Sequence, residues 1–156
     1  EGLDAVGINA SYIKDTYGIS ATYSSVETEI SVAGVAVGYN DASVALNGYL
    51  SPEGFPSISV GYEFTDIGGA GENVDEKTSF FVGLQFDEVG PGSAGVAIGS
   101  QGSITEGSDE ALMYEVYYSY PVNDGMTVTP LIYAKEATEA TDEEETGVMV
   151  KTSFSF

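Results

Sequence analysis

Apolar and polar side chains alternate along almost the whole chain, and a period of two predicts an all-β protein. The closing stretch VMVKTSFSF is the plainest case. Val148, Val150, Thr152, Phe154 and Phe156 share one face of an extended strand, while Met149, Lys151, Ser153 and Ser155 take the other. Ile58, Val60, Tyr62 and Phe64 stand in the same way against Ser57, Ser59, Gly61, Glu63 and Thr65. Phe80, Val82, Leu84 and Phe86 repeat the pattern, as do Leu112, Tyr114, Val116, Tyr118 and Tyr120. Nearer the start, Ile8, Ala10 and Tyr12 are followed by Ile19, Ala21 and Tyr23. Gly, Asn, Asp, Ser and Pro punctuate these segments and divide the chain into ten expected strands. They run near 4–13, 18–25, 29–39, 42–50, 57–65, 78–87, 94–103, 111–120, 126–135 and 147–156. A helix interior loses about 1 kcal/mol per Gly relative to Ala. With 20 Gly scattered through the segments, no helix is expected.

Alternation alone fits a sandwich, whose apolar faces meet in a core, and equally a membrane barrel, whose apolar face meets lipid. Three features point to the barrel. The chain ends on an aromatic residue in register with the apolar face, as closing strands of outer-membrane barrels commonly do. Tyr12, Tyr17, Tyr23, Tyr39, Tyr49, Tyr62, Phe64, Phe80, Phe86, Tyr114, Tyr120 and Phe156 fall mostly toward strand ends, where interfacial girdles sit. Long acidic connections also alternate with short ones. The stretches 136–146, SITEGSDE and IGGAGENVDE are expected outside, and NDG, EVGPGS and SPEGFP inside. Asn40-Asp41 is expected as a two-residue outside turn.

The fold expected is an antiparallel transmembrane β-barrel of about ten up-and-down strands over 1–156, as a single domain or the C-terminal segment of a larger barrel. No apolar run approaches the roughly 20 residues of a spanning helix. The chain starts at Glu1 with no signal segment, which reads as a mature, trimmed or partial chain.

Charge narrows the partners. The chain holds 25 acidic residues and 4 lysines, for a formal net charge of −21. Nucleic acid is excluded as a partner, and cations are attracted. With no Cys and no His there is no thiolate, no disulfide and no imidazole shuttle or ligand. Carboxylate pairs could still hydrolyse glycosides, but no pair among the acids is singled out. The expectation is a non-enzyme with no cofactor and no dedicated metal site.

Two sets of residues remain as candidates. Glu63, Gln85, Asp87, Glu115, Lys135 and Lys151 project from the small, polar face and are candidates to line a pore, with Lys151 opposite Glu115 as a possible internal ion pair. Glu72, Asp75, Glu76, Glu106, Asp109, Glu110, Asp142, Glu143, Glu144 and Glu145 fall in or beside the long connections and are candidates for a cation-attracting rim. The run at 142–145 lacks the spacing of a calcium loop, so it reads as a solvated surface. GGAGE and GPGS are turns; no Lys-Ser/Thr follows them as a phosphate loop requires.

The last third, YEVYYSYPVNDGMTVTPLIYAKE followed by an acidic loop and TGVMVKTSFSF, resembles the C-terminal end of cyanobacterial outer-membrane porins, the family with surface-layer-homology domains and iron-uptake or carbohydrate-selective members. The residues that carry the resemblance are Tyr117 to Tyr120, Val122 to Asp124, Thr127, Thr129, Pro130, Thr152, Phe154 and Phe156. It implies a passive channel for inorganic ions and small solutes in outer-membrane lipid, with homo-oligomers possible. Family members are longer and often carry Arg in the closing strand, where this chain has Lys151. A ten-stranded barrel would be filled mostly by its own side chains, since open channels need about 16 to 18 strands. The expectation is therefore the C-terminal part of a cation-preferring porin, with a secreted or surface β-rich structural or adhesive protein, even a filament subunit, as the alternative.

Overall fold

The computed structural model describes residues 4–32, 35–68, 76–101, 111–137 and 143–155. They form one antiparallel sheet of nine strands in which spatial order equals chain order. The strands are β1 (Ala5–Ile13), β2 (Tyr17–Val32), β3 (Val35–Leu50), β4 (Ser57–Ile67), β5 (Glu76–Val89), β6 (Gly92–Ser100), β7 (Leu112–Asn123), β8 (Met126–Lys135) and β9 (Glu145–Phe154). No helix occurs among the described residues. This is the all-β, up-and-down antiparallel architecture that the alternation called for.

The described residues hold nine strands rather than ten. The segments expected at 18–25, 29–39 and 42–50 merge into the two 16-residue strands β2 and β3, which pair from Tyr17↔Leu50 to Val32↔Val35. Asn40-Asp41 is therefore not a turn. Asn40 pairs with Glu27, and Asp41 lies between Val26 of β2 and Ile67 of β4. A long ladder outcompetes a two-residue turn signal, because each paired residue satisfies backbone groups that an open turn leaves to water. The reversal falls between Val32 and Val35, inside the apolar run expected to be strand. β1 pairs β2 only up to Val26 and β4 pairs β3 only from Asp41, so the rest of this hairpin extends past its neighbours.

Once the count is corrected, the three longest connections fall at one end, together with the two-residue link 33–34. Residues 14–16, 51–56, 90–91 and 124–125 link strands at one end, and 33–34, 68–75, 101–111 and 136–144 at the other. Short-end turns follow familiar chemistry. Gly54 and Gly90 adopt positive φ of 77° and 63°, which a side chain would resist. In the Asp124-Gly125 turn, the Gly125 amide donates to Asn123 Oδ1 at 2.9 Å. Pro130, which has no amide to donate, sits where the β7–β8 ladder lapses between the Tyr117↔Leu131 and Tyr120↔Val128 pairs.

The register is staggered. The cross-strand row Tyr12, Ile19, Gly48, Val60, Val82, Ile98, Tyr114, Ala134, Thr146 starts beside the short-connection end of β1 and finishes beside the long-connection end of β9. A one-way drift of this kind tilts strands, and tilt with shear is what a curved, barrel-type wall needs.

Every pairing also keeps like faces together. Ile8, Tyr23, Val44 and Phe64 form one row of the apolar face, and Ile58, Leu84, Val96, Val116, Ile132 and Val148 another. Among the described residues nothing packs on that face. Ile8 is 64% exposed, Ile132 56% and Val148 73%, and among the described residues Ala111 is the only buried hydrophobic. A water-soluble chain of this size would bury most of these side chains, at about 25 cal/mol per Å² of apolar surface.

Candidate functional site

The chemistry of the sheet is concentrated on its polar face. All six residues proposed to line a pore lie there: Glu63 on β4, Gln85 and Asp87 on β5, Glu115 on β7, Lys135 on β8 and Lys151 on β9. Strand parity puts them on one face, and the register spreads them across five strands rather than gathering them at a point.

Several are tied to neighbours. Gln85 Nε2 donates to Asp87 Oδ1 at 2.6 Å, and Tyr117 Oη donates to Gln85 Oε1 at 3.0 Å. Tyr117 thereby reaches from β7 across β6 to β5. Glu63 accepts from Thr65 Oγ1 at 3.2 Å, and Thr65 shares a 2.8 Å hydrogen bond with Ser43. Asn9 Nδ2 donates to Thr22 Oγ1 at 2.6 Å, and Thr129 Oγ1 to Ser119 Oγ at 3.1 Å. This network links strand to strand over the polar face.

The ion pair expected between Lys151 and Glu115 does not form. Glu115 shares its row with Tyr133 and Gly147, while Lys151 pairs with Thr129, four residues further along β9. The ion pair that does form among the described residues is Lys135 Nζ with Glu145 Oε2 at 3.4 Å. Tyr133 Oη donates to the other oxygen, Glu145 Oε1, at 2.7 Å. Lys135 Nζ also sits 5.6 Å from the centre of the Tyr133 ring. Glu145 lies at the long-connection end, beyond the apolar residues of β9. The Tyr133 hydroxyl first, and Lys135 second, hold its carboxyl below the usual range.

Beneath these polar groups is a repeated packing unit that pattern reading missed. Four glycines of the polar face each lie under an aromatic ring from the directly paired residue: Gly18 under Tyr49, Gly61 under Phe81, Gly95 under Tyr117 and Gly147 under Tyr133. A Cβ at any of these glycines would run into the ring. Gly18, Gly61 and Gly95 are buried as a result. Tyr49, expected among the interfacial girdles, lies on the polar face instead, with its hydroxyl donating to the Lys14 carbonyl at 3.1 Å. Period two already places Tyr49, Phe81, Tyr117 and Tyr133 on the polar side, but only the register shows that each meets a glycine.

β6 carries Ser93, Gly95, Ala97 and Gly99 on this face and forms a low floor between taller neighbours. A hollow of about 460 Å³ opens here, lined on the polar side by Phe81, Ala97, Met113, Glu115, Tyr133 and Met149.

Of the expected rim, Glu76, Glu143, Glu144 and Glu145 stand at the long-connection end, at or just before the starts of β5 and β9. Glu72, Asp75, Glu106, Asp109, Glu110 and Asp142 lie outside the described residues, as does Phe156, and no side chain is described for Tyr39. Among the described residues no three carboxylates gather into a metal-binding group. On the apolar face, Tyr12, Tyr17, Phe86, Tyr120 and Phe154 lie toward the short-connection end and Phe64, Phe80 and Tyr114 toward the other, whereas Tyr23 and Tyr62, also expected near strand ends, sit closer to mid-strand. The Tyr12 and Tyr17 rings are 6.2 Å apart.

No protein-family model, curated protein or solved structure matches this chain.

Proposed function

We propose that the nine strands are part of the wall of an outer-membrane β-barrel that passes small solutes passively and prefers cations. The observation that carries this reading is the apolar face, continuous over all nine strands and covered by no other described part of the chain. Lipid is the partner such a face requires, because a spanning sheet turns its apolar side outward and its polar side to the lumen. Two aromatic bands bounding the face, and the staggered register, are in keeping with a tilted wall between two interfaces. Cation preference follows from the acids at the long-connection end, which raise the local cation concentration as a field without needing a single ligand residue. The resemblance to cyanobacterial porins in the last third supports the same reading.

The test is single-channel conductance and reversal potential in a planar bilayer, with the chain folded in detergent. Discrete steps with a cation-selective reversal potential are expected. Absence of insertion, with the chain dispersed without amphiphile, would sink the proposal and leave the apolar face to sheet-on-sheet packing in a structural or adhesive protein.

A further inference from the structure

The polar face departs from its own composition in one place. Elsewhere it carries mostly Ser, Thr, Gly, Asn and acids, but around the hollow over β6 it turns Phe81, Met113 and Met149 toward the wet side. Phe81 is 42% exposed and Met149 54%. Leaving apolar surface in water costs about 25 cal/mol per Å². A cluster of it on an otherwise polar wall marks a place that receives something apolar.

The register shows why there is room. Phe81 leans away from the hollow onto Gly61 of β4, and Tyr133 leans the opposite way onto Gly147 of β9. Between the two rings the floor is Ala97 and Gly99, with nothing larger than a methyl group. The space of about 460 Å³ is of the size that small-molecule sites take.

One charge in the hollow is uncompensated. Glu115 stands between Ala97 and Tyr133 in a single cross-strand row, with Met113 beside it on the same face of β7. Its carboxylate makes no hydrogen bond or ion pair among the described residues. The neighbouring charged groups are engaged elsewhere: Lys135 Nζ pairs with Glu145 Oε2, and Asp87 Oδ1 accepts from Gln85 Nε2. Lys151 lies two polar-face rows further toward the short-connection end.

From this we infer that the hollow is a binding site for an organic cation, an ammonium group carried on a short apolar or aromatic body. The ammonium meets the Glu115 carboxylate in a charge-assisted hydrogen bond. The body lies over Ala97 and Gly99 between Phe81 and Tyr133, where the Met113 and Met149 thioethers give it a soft, adaptable lining. An inorganic cation gains nothing from that lining, and an organic anion is repelled by Glu115. A channel with this site retains one class of solute, beyond enriching all cations at its mouth.

The probe is benzylammonium, with benzyl alcohol as its uncharged counterpart. The chain has three methionines, and they report separately. Met113 and Met149 line the hollow, while Met126 pairs with Phe154 on the apolar face at the short-connection end. In the detergent-folded chain, carbon-13 NMR of the methionine methyl groups should show Met113 and Met149 shifting saturably with benzylammonium and Met126 staying in place. Benzyl alcohol should give no saturable shift. Glu115→Gln keeps the shape, removes the charge and should weaken binding about tenfold or more. Ala97→Leu fills the floor, keeps the charge and should abolish binding, with the Met126 signal confirming that each variant is folded. Unmoved Met113 and Met149 signals, or equal affinity in Glu115→Gln, would overturn the inference. So would a Met126 shift of equal size, which marks partition into detergent.

The inference rests on the channel reading for the route by which solute reaches the hollow, but binding is read without conductance. A chain that conducts while Met113 and Met149 stay unmoved sinks the site alone. A chain that binds as expected but neither inserts nor conducts keeps the site and sinks the channel.

Discussion

The apolar and polar faces of these strands share one backbone and one register, yet they specify structure in different ways. Across the apolar face Ile58, Leu84, Val96, Val116, Ile132 and Val148 succeed one another with little fitted size complementarity. A solvent-like environment asks only for apolar surface, so one large aliphatic residue can replace another. The polar face is fitted position by position: a ring over Gly18, Gly61, Gly95 or Gly147, a direct hydroxyl–hydroxyl bond between Ser43 and Thr65, a tyrosine spanning β6 to reach Gln85. The fitted shapes, and with them positional specificity, lie on the side proposed to face solute.

Charge placed on the apolar face gives the largest expected effect. Val116→Lys should cost about 2–4 kcal/mol when folding into lipid vesicles is followed by denaturant titration, while Thr129→Lys on the other face should change little. Equal tolerance at the two positions would end the comparison and the lipid-facing assignment with it.

Next comes steric intrusion on the fitted face. Gly95→Val drives a side chain into the Tyr117 ring and should destabilise by about 1–3 kcal/mol. Adding Tyr117→Ala removes the obstacle, and a double-mutant cycle should recover part of the loss. Val96→Leu, on the opposite face of the same strand, should be close to neutral. Strictly additive losses at Gly95 and Tyr117 would show that the ring and glycine do not act as a unit.

A subtler change is expected in selectivity. Replacing Glu143, Glu144 and Glu145 by Gln should move the reversal potential toward zero at 0.1 M salt, where the Debye length is about 10 Å, and hardly alter it at 1 M, where it is about 3 Å. Conductance should change less than selectivity. An unaltered reversal potential at low salt would shift cation preference to the lumen acids Glu63, Asp87 and Glu115.

The smallest effect concerns Glu145. Its folded pKa lies below the unfolded value, so its bonds to Tyr133 and Lys135 favour the fold above the unfolded pKa, and that contribution is lost as pH falls through the folded one. Tyr133→Phe should raise the carboxyl titration midpoint, read by carbon-13 NMR of the side chain. An unmoved midpoint would mean that Lys135 alone sets it.

Strand identity was legible wherever alternation ran into a strong turn signal, as at Asp124-Gly125 and Gly90-Pro91. Between 26 and 41 it failed for a definite reason. Asn40-Asp41 is the better local turn, but its backbone groups are claimed by β2 and β4, and pairing over long sequence separation is invisible to a local window. The candidate pore residues were assigned correctly to one face, because parity is local. Their partners were not, because Lys151–Glu115 against Lys135–Glu145 is a matter of register.

Sequence by itself determined that the chain is all-β, that each strand has one apolar and one polar face, and that acids crowd the long connections. These follow from side-chain period and composition, which are properties of the covalent chain. Only the tertiary structure decided that there are nine strands, that apolar faces join without a break, that rings lie over glycines, and that β1 and β9 run the same way. Each of these depends on which residues of separate strands come opposite one another, and a slip of one residue in that register would exchange the two faces.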